Sequence, residues 1–191
     1  RMAIILLFAS AVLGGCGLYS VRPYRAEPAI TYQSHVTVEK VSVGIDPYLS
    51  GGKKSRRLFG SNRLKRSVMG LSLVINNEGN NAYLIEKLDI QLTNAAGDIL
   101  QVMDSDKIAS RFTKPWPRVY RFFSGRRIRS DFYEQLCGEN IPILPSKNIS
   151  CFLFFSASED IKSLDGYKLI VLIYDFEQKA KKQVSVSLKG R

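Results

Sequence analysis

The sequence predicts an all-β fold, a β-sandwich of about seven short strands. From residue 35 onward, apolar residues recur mostly at every second position, which is the period of a strand with one buried face. Clusters of Gly, Asn and Asp, which favour turns, separate most of these runs. A rhythm of strand, helix and strand over about 30 residues is missing, so a nucleotide-binding α/β fold is not expected. The length of 191 residues and the 45% of hydrophobic residues suit one domain with a real core and a tail.

Each strand follows from its own pattern. In the first strand the alternation changes phase at Glu39 and Lys40, as a β-bulge would cause. In the third strand it changes phase again between Ile85 and Leu88, and residues 76–81 and 94–98 carry dense turn chemistry. In chain order, the predicted strands are 36–45, 68–76, 83–93, 99–103, 149–156, 167–176 and 183–188.

Two stretches interrupt the strand pattern of the predicted domain, which covers residues 35–191. They are residues 46–67 and residues 104–148, and we interpret both as insertions. The second insertion has room for one or two short helices, at 105–112 and from 131, where the latter would stop at Cys137 and Gly138. Connections longer than about 15 residues without regular structure are often functional. A binding site is therefore expected in these two stretches.

The net charge of +11 comes from the same two stretches. Seven of the 28 Lys and Arg residues lie at 53–66 and seven more at 111–129, and neither block contains an acid. When these blocks and Arg1 are set aside, thirteen basic residues face seventeen acidic ones. The rest of the chain is mildly acidic, so the charge marks two places and not the whole domain.

The second block alternates cations with aromatic rings, and its candidate binding residues are Arg111, Lys114, Trp116, Arg118, Arg121, Arg126, Arg127 and Arg129. Arg and aromatic residues are enriched where protein interfaces gain most of their affinity. The same composition suits an anionic membrane surface. A third interpretation makes the rings part of a folded insertion and the Arg residues its solvated face. Nucleic acid is not expected as a partner, because no recognised binding motif accompanies the basic residues.

The N-terminus predicts export. Residues 3–13 are small or apolar and follow Arg1, and a stretch this short cannot cross a bilayer core of about 30 Å as a helix. This pattern is typical of a signal peptide, predicted at 1–15. The residues Leu13-Gly14-Gly15-Cys16 resemble the lipobox of bacterial lipoproteins. The resemblance implies that Cys16 is acylated and becomes the mature N-terminus. Gly17 after it implies the outer membrane, with residues 16–34 as a tether. The alternative is a hydrophobic N-terminal helix with a buried Cys.

If Cys16 is lipidated, two cysteines remain in an oxidising compartment, where an even number favours a disulfide. Cys137 and Cys151 are 14 positions apart, and a bridge closing such a loop would contribute about 3 kcal/mol. The alternative is two separate buried thiols, which would behave as small hydrophobic groups.

Catalysis has little support in the sequence. His35 is the only His, and no feature places it beside Cys137 as a base would lie beside a nucleophile. One His and three Cys exclude most zinc sites, and Asp104 with Asp106 is more typical of a helix start than of a metal site. We therefore expect no enzyme, no metal and no cofactor.

A second resemblance concerns the domain. Residues 58–64 (Leu-Phe-Gly-Ser-Asn-Arg-Leu) and 70–77 (Gly-Leu-Ser-Leu-Val-Ile-Asn-Asn) are similar to a pattern in uncharacterised exported bacterial domains. This resemblance implies an immunoglobulin-like sandwich without an assigned activity. Together, these features predict a lipid-anchored outer-membrane protein that docks a protein partner in the cell envelope through its basic-aromatic insertion. The alternative function is binding of anionic lipid or glycolipid.

Overall fold

The fold is an all-β sandwich of two sheets, as the sequence predicts. The computed structural model describes residues 25–49, 68–108, 133–157, 161 and 163–189. Within these ranges the strands are β1 (Ser34–Val38), β2 (Val41–Tyr48), β3 (Val68–Asn77), β4 (Tyr83–Glu86), β5 (Ile90–Thr93), β6 (Ile99–Gln101), β7 (Asn140–Ile143), β8 (Asn148–Ser156), β9 (Lys168–Asp175) and β10 (Ala180–Ser187). Three-residue 3₁₀ helices lie at Ala29–Thr31 and Lys87–Asp89, and one helical turn lies at 105–108.

One sheet contains four antiparallel strands in the order β1-β2-β3-β8. The predicted first strand is two strands here, because β1 and β2 form a hairpin in which Val38 pairs with Val41. Glu39 begins the two-residue turn with a φ of 55°, a conformation that tight hairpins require. The phase change at Glu39 and Lys40 therefore marks a reversal of the chain and not the expected bulge.

The other sheet contains six strands arranged around β9. β10 covers one whole edge of β9, and β4 and β5 follow each other along the opposite edge. The 3₁₀ helix Lys87–Asp89 separates β4 from β5, which explains the second phase change in the sequence. β7 pairs with β4 and β6 pairs with β5, so each half of this broken strand has its own outer neighbour.

The structure differs from the predicted boundaries at two places. β7 lies inside the stretch 104–148, which was expected to be an insertion, and the sequence did not predict this strand. It has four residues and contains Pro142, whose exposed position is typical of a proline in a strand. The predicted tether 16–34 also ends differently, because Ala29 is fully buried against the domain and β1 begins at Ser34.

The main core lies between the two sheets and is built by the residues that the alternation predicts. Met69, Leu71, Leu73 and Ile75 of β3 are all completely buried there. The other face of β3 is buried as well, so all ten of its residues are less than a tenth exposed. The outer face of the four-stranded sheet must therefore be covered by other parts of the chain. No helix in the described ranges has the length and apolarity needed to cross a membrane.

Candidate functional site

A second apolar cluster lies on the outer face of the four-stranded sheet, apart from the main core. We call it the flanking cluster, and its members are Tyr48, Val68, Met103, Ile108, Leu136, Phe152 and Phe154. The ring of Phe152 meets that of Tyr48 edge-to-face with centroids 5.5 Å apart, which is a favourable arrangement of two aromatic rings. Two members flank the first basic stretch, residues 53–66, and three flank the second, residues 111–129. The other two, Phe152 and Phe154, are side chains of β8.

The described residues that flank the two basic stretches therefore lie together. Tyr48 ends β2 and Val68 begins β3, so these two residues frame the first basic stretch. Ile108 precedes the second stretch and Leu136 follows it, and both belong to the same cluster. The sequence separates the two stretches by more than forty residues, but the fold brings their ends together.

Backbone hydrogen bonds attach the residues on both sides of the second basic stretch to the edge of β8 that does not pair with β3. The amide of Met103 donates to the carbonyl of Phe154 over 2.7 Å, and the amide of Cys137 donates to the carbonyl of Phe152 over 3.0 Å. The amide of Phe152 in turn donates to the carbonyl of Gln135 over 2.8 Å. These bonds satisfy backbone groups of an edge strand that would otherwise be unpaired.

A disulfide fixes the returning end of this stretch to β8. It joins Cys137 to Cys151, whose Cα atoms are 4.9 Å apart, and both residues are buried. The loop that it closes contains β7, a strand of the six-stranded sheet, whereas Cys151 belongs to the four-stranded sheet. Both cysteines belong to the main core, and the bridge fixes the segment before β7 to β8 there. It also means that Cys137 is not a free thiol beside His35, whose Nδ1 lies 2.6 Å from the carbonyl oxygen of Tyr32.

The acidic pair predicted to start a helix has that role in the structure. Oδ1 of Asp104 accepts hydrogen bonds from the amides of Asp106 and Lys107, at 2.8 and 3.2 Å. Such bonds satisfy the free amides of a first helical turn. The hydroxyl of Tyr133 donates to Oδ1 of Asp106 and so joins the two sides of the second basic stretch. Within the described residues, no group of three or more His, Cys, Asp or Glu is arranged to hold a metal ion.

A buried polar site lies next to Tyr48 of the flanking cluster, and the sequence did not predict it. The hydroxyl of Tyr48 donates to Oδ2 of Asp46 over 3.0 Å, and both residues are nearly inaccessible to solvent. Ser72 pairs with Asp46 across the sheet and is fully buried. Among the described residues, Ser72 Oγ has no hydrogen-bond partner. The only signal of this site in the sequence is an acidic residue, Asp46, two positions before Tyr48, which ends β2.

A strap formed by residues 25–33 covers the other end of the same face. Its central residue, Ala29, lies over Gly44, where an added Cβ would be 2.4 Å from the Ala29 carbonyl oxygen. The amide of Ala29 donates to Oδ1 of Asn76, a buried side chain of β3. Gly44 is therefore required by the close approach of the strap, and the sequence alone did not indicate this contact.

An ion cluster around the buried Asp175 joins the two sheets at the end opposite to the flanking cluster. Nζ of Lys182 lies 2.9 Å from Glu39 Oε1 and 3.2 Å from Oδ2 of the fully buried Asp175. The amides of Gln178 and Glu177 donate to Asp175 Oδ1 and, with Lys182, hold the pKa of this carboxyl below its usual range. Burial, followed by the charge of Asp175, raises the pKa of the nearby Tyr83 hydroxyl. The charged groups Lys182, Glu39 and Asp175 form ion pairs with one another, so the cluster has a structural role.

The lipidation site and the predicted binding residues are not among those that the structure describes. These residues are Cys16, Arg111, Lys114, Trp116, Arg118, Arg121, Arg126, Arg127 and Arg129. The structure does show where their stretch is attached, and it contains the disulfide between Cys137 and Cys151. The sequence did not indicate that the residues flanking the two basic stretches pack together. They are ordinary apolar residues, and only the strand pairing brings them into one cluster.

No known protein family and no curated protein matches this sequence. The solved structures that align with this chain include three with TM-scores below 0.5. The yjhA protein of Bacillus subtilis has 6% identity and a TM-score of 0.44, covering 80% of this chain and 96% of its own. A candidate lipoprotein of the same species, ycdA, has 15% identity and a TM-score of 0.47, and the match covers 86% of this chain but only 39% of that protein. A protein of unknown function from Listeria monocytogenes has 12% identity and a TM-score of 0.41, covering 82% of both chains.

Proposed function

We propose that this chain is a membrane-anchored protein of the bacterial cell envelope that acts as an accessory or scaffold subunit and not as an enzyme. In this proposal a signal peptide directs export, Cys16 carries the lipid anchor at the outer membrane, and the basic-aromatic stretch docks a protein partner. The observation that carries the proposal is the attachment of that stretch. Both of its ends are fixed to β8, by the bonds of Met103 and Cys137 and by the disulfide. Variable loops positioned by a rigid scaffold are common binding elements.

The charge distribution supports the choice of partner surface. The fourteen cations of the two basic stretches contrast with a mildly acidic remainder, so the molecule has strongly separated charge. An acidic surface on another protein is attracted to these two stretches and repelled by the mildly acidic remainder. Aromatic rings between the cations supply the apolar contacts that such interfaces need.

The test is capture of partners by crosslinking in intact membranes. Replacing Arg118, Arg121, Arg126 and Arg127 by Ala is expected to abolish the crosslinked partner. The matched control replaces Lys53, Lys54, Arg56 and Arg57 by Ala, which removes the same number of charges from the first basic stretch. Equal capture by the wild type and both variants would contradict docking through residues 111–133. Release of a Cys16→Ser variant from the membrane fraction tests the anchor separately.

One observation favours a second function, the binding of anionic lipid or glycolipid. The strap that leads back toward Cys16 lies on the same outer face as the flanking cluster. If Cys16 is anchored in a bilayer, the residues that flank the basic stretches lie on the face from which the chain leads to the anchor. Sedimentation of the Cys16→Ser protein with phosphatidylglycerol vesicles tests this function, and binding through charge is expected to fall steeply with added salt.

A further inference from the structure

We infer that two copies of this chain form a weak dimer through the outer faces of their six-stranded sheets, with the two β9 strands antiparallel across the contact. This surface is distinct from the basic-aromatic stretch of the proposed function and does not depend on the lipid anchor. Three features of the sheet support it: an apolar stripe along β9, the complementary ends of that stripe, and the dimensions of the face.

An apolar stripe runs along the middle of this face. Ile170, Leu172 and Tyr174 share the outer side of β9, because residues at even spacing point to one side of a strand, and all three are half-buried. Phe176 comes directly after β9 and is 51% exposed, and its ring packs edge-to-face on that of Tyr174. Leu84 of β4, opposite Tyr174, widens the stripe. A contiguous apolar patch on a folded domain is typical of a protein contact site.

Most of the strongly exposed apolar residues lie beside this stripe. Among the described residues, five large apolar side chains are more than half exposed: Ile30, Leu88, Ile99, Leu144 and Phe176. Ile99 lies on this face because it pairs with Thr93, which in turn pairs with Lys168. Leu88 lies in the 3₁₀ helix between β4 and β5, which both pair with β9. Three of the five therefore border one surface, which a second copy would cover.

The ends of the stripe carry opposite charges. Lys168 is exposed at the start of β9, and Glu177 is exposed just after its end. Oε2 of Glu177 accepts a hydrogen bond from the Asn81 side chain, but within the described ranges neither Lys168 nor Glu177 has an ion-pair partner. When two antiparallel β9 strands are centred on Leu172, Lys168 of each copy lies across from Phe176 and near Glu177 of the other. The two-fold axis makes each of these favourable contacts twice.

The rows on either side of this axis also avoid like charges. In the antiparallel arrangement, Ile170 of one copy meets Tyr174 of the other. Lys181 pairs with Tyr174 across the sheet and Ser185 pairs with Ile170, so Lys181 of one copy faces Ser185 of the other. Parallel β9 strands would instead bring Lys168 against Lys168, which charge repulsion disfavours. The charge pattern therefore selects the antiparallel arrangement of two identical copies.

The size of the face predicts that the dimer is weak. Eight residue steps from Lys168 to Phe176 span about 26 Å, and four adjacent strands are about 19 Å wide. Two such faces in contact would bury about 1,000 Å², which is near the lower limit for a specific interface. The flanking cluster lies on the other sheet, so this contact leaves it uncovered. We therefore expect a dimer that dissociates on dilution.

A charge exchange tests the contact in the full-length protein. Sedimentation equilibrium in a density-matched detergent measures the dissociation constant of the dimer. Lys168→Glu and Glu177→Lys each place like charges across the contact and are expected to weaken the dimer about tenfold. The double variant restores opposite charges and is expected to recover most of the affinity. The control is Lys40→Glu, which makes the same change of charge at an exposed residue of the β1–β2 turn and should leave the dimer unchanged.

Thiol crosslinking locates the two-fold axis. With a short bismaleimide, Leu172→Cys should crosslink to a second copy of itself, whereas Ile170→Cys and Tyr174→Cys should crosslink mainly with each other in a mixture. Ser150→Cys, exposed on the outer face of the four-stranded sheet, is the matched control and should remain uncrosslinked. The parent protein controls for reaction at Cys16.

Two results would overturn the dimer. One is a protein that remains monomeric at every concentration that sedimentation can reach. The other is a dimer whose affinity is the same in the single charge variants and whose crosslinking at Ser150→Cys equals that at Leu172→Cys, because such a dimer uses another surface. Either result leaves the proposed docking through residues 111–133 unaffected.

Discussion

The two outer faces of the sandwich differ in how far other segments of the chain cover them. On the four-stranded sheet, the strap and the flanking cluster cover the outer face, and every residue of β3 is buried. On the six-stranded sheet, Ile170, Leu172 and Tyr174 of β9 are only half-buried. An antiparallel sheet commonly leaves one face solvated, and the six-stranded sheet follows that rule. The covered face shows that segments outside the strand pattern contribute a second layer of packing.

The outer face of the six-stranded sheet, which we call the open face, is covered by polar side chains and not by other segments of the chain. Lys181 of β10 reaches Asp89, with Nζ 2.6 Å from Oδ2, and lies 3.8 Å from Glu86 on the far side of β9. The stem of a Lys covers apolar surface while its head stays in water. Tyr174 also packs edge-to-face against the exposed Phe176, with centroids 5.2 Å apart. Few of these contacts involve deep burial, so the open face is expected to tolerate substitution better than the covered one.

The largest expected effect compares one large side chain on each face. Phe154→Ala removes a completely buried ring of the flanking cluster and should lower the free energy of unfolding by about 3–5 kcal/mol. Leu172→Ala on the open face should cost less, about 1–2 kcal/mol, because its side chain is only partly buried. Urea unfolding measures both values. Similar losses for the two variants would contradict the difference between the faces.

The disulfide gives the next largest effect. Replacing both Cys137 and Cys151 by Ser should lower the free energy of unfolding by about 3 kcal/mol, because the bridge closes a loop of 14 residues. Hydrogen exchange should also speed up at the Cys137 amide, which is bonded to Phe152 beside the bridge. Reduction of the wild-type protein is the control and should give the same change. An unchanged Cys137 amide would mean that the backbone bonds alone hold this end of the basic stretch.

The sequence predicted the inner faces well and the covered outer face poorly. Alternation alone identifies Leu71 and Leu73 as core residues, since a strand of period two needs no distant partner to be recognised. The burial of Ala29 depends on Gly44 and Asn76, which are far away in the chain. Likewise, Phe152 and Phe154 fit the strand pattern, but the pattern does not show what covers them. Local signals therefore predict strands and turns, whereas the attachment of the basic stretches depends on long-range pairing.

Gly44→Ala is expected to have a smaller effect, of about 1–3 kcal/mol. The new methyl group meets backbone atoms of Ala29 and therefore displaces the strap. Gly138→Ala is a suitable control, because a Cβ added there would lie 3.5 Å from the Asn140 carbonyl oxygen, which is an ordinary van der Waals contact. Trypsin cleavage after the exposed Arg25 should accelerate only in the Gly44 variant. Unchanged cleavage there would mean that the strap stays docked and that the covered face is more adaptable than its packing indicates.

The smallest expected effect involves neither outer face but the ion cluster that joins the sheets. The pKa of Asp175 is lowered mainly by backbone amides, with a contribution from Lys182, so its charged form stabilises the fold. That stabilisation is complete above the ordinary aspartate pKa of about 3.9 and is lost as the pH falls through the lower folded value. Asp175→Asn keeps an oxygen for the amides but cannot ionise, so its stability should depend less on pH in this acid range. Urea unfolding at a series of pH values measures both slopes. Because the cluster touches β4, β9, β10 and the β1–β2 turn but not the flanking cluster, this variant should leave trypsin cleavage at Arg25 unchanged.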